Sequence, residues 1–280
     1  MTTSSIPSVI EQQTRWARSQ GFEPKNAYLL SLADNLLQQL SDGAQKDFER
    51  GNGGELRERG IRPPKMHALR SSSALSANVF DYWRAHDPTP LQQALGLRDK
   101  ITGISFEEHF PTGLKGNPPN VGVLLKLEGN KYVAIETKFT QWLSRRERTI
   151  DPKYFPPGEE LWSLQNLPNC QALAIGLLEA APFKYLDVPL LLKHALGLAR
   201  MKTGAYELFY IYFDWKCPEG AIHADEVARF GDLVGKEIGF RTMTYQALFK
   251  RLDHTARPDN AAYLEYFHGR YQQPADRPLS

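Results

Sequence analysis

Three short runs in the middle of the chain alternate apolar and polar residues: ITGISFEEHF (101–110), NVGVLLKLEG (120–129) and KYVAIETKF (131–139). A period of two predicts strands. The Pro, Gly and Asn residues between the runs predict a meander, and Gly129-Asn130 within LEGNKY is a hairpin signal. On either side the period lengthens. NAYLLSLADNLLQQL carries Leu29, Leu32, Leu36, Leu37 and Leu40 as a helical stripe, so residues 7–42 read as helices. The charged, Gly-rich stretch 41–66 reads as a loop, and SSSALSANVFDYWRAH (71–86) as a capped helix facing inward through Leu75, Val79, Tyr82 and Trp83.

After a loop holding Pro152, Pro156, Pro157 and Gly158, residues 160–200 read as helical. YELFYIYFDW (206–215) is a strand, HADEVARFGDLVGKEI (223–238) an amphipathic helix, FRTMTYQALF (240–249) a strand running into a helix, and NAAYLEYFHGRY the last helix. Helix, three strands, helix, strand, helix, strand implies an α/β fold with a mixed sheet. The expected division is an N-terminal helical extension (1–44), one α/β domain (45–270) and a short tail (271–280).

Composition narrows this picture only a little. The chain has 280 residues, enough for a sizeable core, and its net charge of +2 neither demands nor excludes a polyanionic partner. Cys170 and Cys217 lie far apart in no metal-like spacing, which suits a reducing compartment. The first residues lack the apolar core of a signal peptide. The longest apolar run, VPLLLKHALGLA (188–199), is too short to span a bilayer and contains Lys193 and His194. The expectation is a soluble, cytoplasmic protein without a membrane partner.

The chemistry concentrates in YVAIETKF. Alternation puts Val133, Ile135, Thr137 and Phe139 on one face, and Tyr132, Ala134, Glu136 and Lys138 on the other. A Glu and a Lys two residues apart are either a solvated surface pair or part of a site for phosphodiester hydrolysis. In the second case the carboxylate holds a hard cation and the ammonium orients water and neutralises charge on the phosphate.

The hairpin PPNVGVLLKLEGNKYVAIETKF (118–139) resembles the PD-(D/E)XK nuclease superfamily. GNGGELRERGIRPPKMHALRSSSALSANVFDYW (51–83) and YLDVPLLLKHALGLA (185–199) resemble flanking segments of its restriction-endonuclease-like branch. The resemblance implies a core of helix, three-stranded meander, helix and further strands, and Mg (or Mn)-dependent hydrolysis of DNA. It makes Glu136 a metal-binding carboxylate and Lys138 the water-positioning or charge-stabilising residue, with the backbone carbonyl of Thr137 as a further metal contact. Glu107 becomes an auxiliary acid and metal ligand, with Glu108 as the alternative and Glu55 as a more distant acid.

The chain departs from that pattern at one position. Where the family has its principal metal-binding Asp, on the second strand, this chain reads Pro119-Asn120-Val121-Gly122-Val123. Gly122 is either a bulge at the start of the strand or the mark of a lost ligand. Loss would leave magnesium weakly bound and hydrolysis impaired, with Glu107, Glu108 or Asn120 as substitutes. The alternative function is a catalytically inactive nuclease fold that binds nucleic acid or a protein partner, and a homodimer stays open. Arg145, Arg146 and Arg148 follow the Glu-x-Lys strand and are candidate phosphate contacts or a solvated basic loop. Arg57, Arg59, Arg62 and Lys65 form a second basic stretch, open in the same way. The histidines are scattered, and His194 reads as a satisfied core residue.

Overall fold

A computed structural model describes residues 5–51, 54–58, 60–145, 148–201 and 204–271. The chain opens with α1 (Ile6–Ser19), then α2 (Asp42–Arg50), α3 (Ser72–Phe80), α4 (Tyr82–Ala85) and α5 (Thr89–Ala94). The meander follows as β1 (Ile101–His109), β2 (Asn120–Leu127) and β3 (Lys131–Lys138). Then come α6 (Pro168–Glu179), α7 (Val188–Ala199), β4 (Tyr206–Tyr212), α8 (Pro218–Ile238), β5 (Arg241–Thr244), α9 (Tyr245–Thr255) and α10 (Ala261–Tyr271). Helix, meander, helices and two further strands are the α/β order expected.

The sheet runs β1-β2-β3-β4-β5, antiparallel across its first two junctions and parallel across the last two. It is therefore mixed, and β3 lies at its centre. Side-chain alternation assigns the two faces. Val121, Val123, Leu125, Val133 and Ile135 are buried on one face, where the Thr137 hydroxyl meets Ser76 of α3 at 2.7 Å. On the other face Glu136 meets α7 through His194, and its β4 neighbour Tyr210 meets α8 through His223.

Two expectations from the pattern fail. The leucine stripe of residues 26–40 is not a helix: only a single 3-10 turn, Ala33–Asn35, forms there. Asn26 and Ala27 take left-handed φ of 52° and 63°, and Tyr28 bridges to Lys25 and to Ala68. Leu29, Leu36 and Leu40 are buried all the same, because the segment is pinned by Asn35, whose buried amide donates to the carbonyls of Met66 and Ala68. Tertiary hydrogen bonds replace the helical ladder. Conversely, the stretch read as a loop begins with α2. Ser41 caps it by accepting from the Ala44 amide, and Phe48 stacks on Phe106 of β1 at 5.0 Å. The 160–200 stretch splits into α6 and α7, the latter capped by Asp187 accepting from Leu190. The expected tail lies outside the described residues apart from Tyr271.

The two ends of the chain are clasped together by Arg270 of α10, a buried residue. Its guanidinium donates to the backbone carbonyl and the side chain of Asn35, to Gln13 of α1 and to the Tyr266 hydroxyl, and lies 4.0 Å from the Trp16 ring centre. Arg270→Ala leaves several of these buried acceptors unmet, at about 1–3 kcal/mol for each group stranded. Urea denaturation should show a loss on the order of 3 kcal/mol; a loss below about 1 kcal/mol would mean that the clasp contributes little.

Candidate active site

Glu136 is only 5% exposed, and both its carboxylate oxygens are engaged. Lys138 Nζ donates to Oε1 at 2.5 Å and His194 Nε2 to Oε2 at 3.2 Å. A carboxylate only accepts, so His194 carries its proton on Nε2; its Nδ1 is buried and meets no partner among the described residues. Burial alone would push the Glu136 carboxyl up, but the Lys138 ammonium and the His194 hydrogen bond outweigh it and hold the group at about 2. The pair is thus no solvated surface bridge. It is a buried, permanently ionised carboxylate on the central strand.

A second carboxylate approaches from β1. The pairs Phe106↔Val123 and Glu108↔Val121 set Glu107 opposite Gly122, whereas the pairing of β2 with β3 ends at Val123↔Ile135, one residue short of Gly122 and Glu136. Glu107 is nevertheless near enough to Glu136 for the two charges to act on each other. Glu107 has a left-handed φ of 51°, which costs a non-glycine residue on the order of 1 kcal/mol or more. Asn120 donates from Nδ2 to Glu107 Oε2 at 2.6 Å, and its Oδ1 faces His109 Nε2. Glu108, the alternative acid, turns away to Arg50 at 2.8 Å.

Burial pushes the Glu107 carboxyl up, the Asn120 hydrogen bond partly offsets this, and the charges of Glu55 and Glu136 add to the rise. The result is about 7. Glu55 is itself buried and paired with Lys65 at 3.1 Å. Gly51, at the end of α2, passes so close that a Cβ there would lie 3.0 Å from that of Glu107.

Gly122 sits in an unbroken register with β1, since the one shift in that ladder is at Ile101/Gly103. A bulge at Gly122 is therefore not what the structure shows on this side. A Cβ built on Gly122 would lie 3.0 Å from Thr137 Oγ1 and 3.5 Å from the Ile135 carbonyl, so a side chain here needs the threonine to give slightly.

The basic residues after β3 are not one patch. Arg145 is exposed, Arg146 lies outside the described residues, and Arg148 is ion-paired with Asp187 at the start of α7 and largely covered. The contact of His194 with Glu136 and the pairing of Glu55 with Lys65 are what sequence reasoning passed over, though it named Glu55 as a more distant acid. Nothing in LLLKHALGLA signals that its histidine faces a strand carboxylate.

Magnesium or manganese, which the resemblance implies, needs several hard oxygens around one point. Glu136, Glu107 and Glu55 have the right chemistry, but among the described residues no three acids, histidines or cysteines come together to hold a metal ion. Both oxygens of Glu136 already accept from Lys138 and His194, and Glu107 is turned to Asn120. As arranged, these side chains do not form a divalent-metal site.

The two carboxylates make opposite demands on pH. Glu107 keeps its proton up to about 7 when folded, against 4.5 for a free carboxyl, so the folded state binds more protons between those values. Its contribution to stability is lost as pH rises through that window. In buffer with EDTA, Glu107→Gln should gain stability relative to the parent chain as pH goes from 5 to 8 (roughly the window between the two pKa values), as read by thermal melts. Parallel curves for the two proteins across that range would contradict the placement of Glu107.

Comparison with known proteins agrees with this architecture. Residues 9–272 match the family described as "Restriction Endonuclease associating with ARP". No curated protein and no solved structure matches the chain. The match spans nearly the whole α/β unit together with α1, and the five-stranded mixed sheet carries the restriction-endonuclease-like core. This chain belongs to the family of restriction endonucleases associating with ARP.

Proposed function

We propose that the chain is a restriction-endonuclease-like protein that binds DNA and hydrolyses its phosphodiester bonds with magnesium slowly or not at all. The observation that carries this reading is Gly122, on β2 opposite Glu107 and against Thr137, at the position where the superfamily pattern has its ligating Asp. The rest of the site favours a nuclease ancestry. Glu136 supplies a fixed negative charge, and Lys138, beside it, is placed to neutralise charge growing on a phosphate. Glu107, near 7, is tuned to take or give a proton at neutral pH.

A second reading keeps the fold and drops the chemistry: a silent nuclease fold whose role is to join a partner. The family's description, which names an association with ARP, is what favours it.

The test is a magnesium titration, followed calorimetrically, together with a plasmid-nicking assay on the chain as it stands and on Gly122→Asp. The parent should bind the ion weakly and nick little. The variant should gain in both, with a rate increase of roughly a thousandfold at ~1.4 kcal/mol per decade. Adding Glu136→Ala to the variant should abolish the gain. Robust magnesium-dependent nicking by the parent, lost in Glu136→Ala, would show that another residue has replaced the missing Asp.

A further inference from the structure

The second basic stretch of the sequence remains unused by this site, and its geometry is specific. Residues 55–58 and 60–66 belong to a loop whose base is fixed; Arg59 lies outside the described residues. The Met66 amide donates to the Glu55 carbonyl at 3.0 Å, Lys65 pairs with the buried Glu55 carboxylate, and Met66 is fully buried. Just inside the base, Arg57 donates to the Glu49 carbonyl of α2. The tip is the opposite. Gly60 turns the chain with a φ of +60°, and the Ile61 side chain that follows is wholly exposed, at 103%. Arg62 is exposed, with no side-chain partner among the described residues, and Pro63-Pro64 stiffen the return. Across an open cavity of about 690 Å³ stands the turn that carries Lys25, Tyr28 and Leu30, with Leu30 82% exposed.

A scattered surface apolar residue is ordinary. Ile61 is different because a fixed base holds it out, because Arg62 and Lys25 outnumber the one acid, Glu58, that lines the same cavity, and because that base adjoins the site. Glu55 and Lys65 both act electrostatically on Glu107, and Gly51, four residues before Glu55, packs on the Glu107 side chain. The six residues from Glu55 to Ile61 reach at most ~20 Å, about six base-pair steps of 3.4 Å. The tip therefore lies no farther from Glu55, a residue whose charge acts on Glu107, than about six base-pair steps.

Resting on the DNA-binding reading above, we propose that residues 55–66 form a DNA-engaging arm, with Ile61 as an apolar wedge against the bases and Arg62 and Lys25 on the phosphates beside it. A short apolar side chain between cations is the form that unstacks a base step while the charges hold the backbone. A protein segment docking on the same apolar tip is the competing occupant. The charge beside Ile61 and the closeness of its base to the phosphate-handling residues favour DNA.

The experiment uses the full chain and a short duplex carrying a fluorescent label and a 2-aminopurine. Anisotropy at several salt concentrations gives affinity and salt slope, and 2-aminopurine emission reports unstacking. Ile61→Ser should weaken binding about tenfold and abolish the emission rise while leaving the salt slope intact. Arg62→Ala should lower the slope by about one unit. Melting temperatures should not move, since neither side chain packs on the core. If the parent binds DNA and both variants match it in affinity, slope and emission, the arm is refuted and the DNA-binding reading stands. If the parent binds no duplex at all, both fall.

Discussion

The buried carboxylate of Glu136 is the constraint around which this fold is arranged. A lone ionised group at that depth would cost several kcal/mol, so it needs partners from fixed directions. Lys138 comes from the same strand, two residues on. His194 comes from α7, and it arrives only if the helix docks flat on β3 and β4, which its nearly continuous apolar surface ensures. Placing β3 at the centre of a mixed sheet makes this possible, because a helix that returns to a parallel strand must cross the face that Glu136 occupies. Charge, topology and helix packing are thus one requirement met three ways.

Glu107 shows what happens to a similar carboxylate without such help. It too is withdrawn from water, but its direct partner is a neutral amide, and the charges nearest to it include two other acids. One acid is consequently held at about 2 and the other at about 7, although their charges act on each other. That separation follows from the partners alone. The left-handed backbone of Glu107 belongs to the same arrangement, since strain of this kind persists only where neighbours hold it. Gly51, which leaves just enough space above the side chain, is one of them.

Much of this could be read from the sequence. The strands of the meander, their faces, the Glu-x-Lys pair and Gly122 all follow from a period of two, which is insensitive to what packs outside. Parity alone left Glu107 and Glu108 open, because it holds only for a regular strand and Glu107 has a left-handed φ. The stripe of residues 26–40 misled because leucines at helical spacing specify burial and not the backbone that delivers it. The choice there is made by Asn35 bonding to carbonyls some thirty residues away. The role of His194 was invisible for a related reason: it comes from a strand carboxylate far along the chain, and the helix has no local signature of it.

Gly122 is also easier for the fold to accept than its place suggests. The buried face of β2 is made by Val121, Val123, Leu125 and Leu127, so the register with β1 depends on those residues and survives without any side chain at 122. A side chain there would press on Thr137 Oγ1, and a carboxylate would add a negative charge on the strand beside Glu107, while Lys138 and Lys65 are already paired. Like charges at such spacing repel unless a cation is bound among them. With glycine at 122 the repulsion stays at what Glu55 and Glu136 already exert on Glu107. The feature that weakens the site for metal therefore relaxes the unliganded fold, and in this chain stability and ion binding pull in opposite directions at a single position.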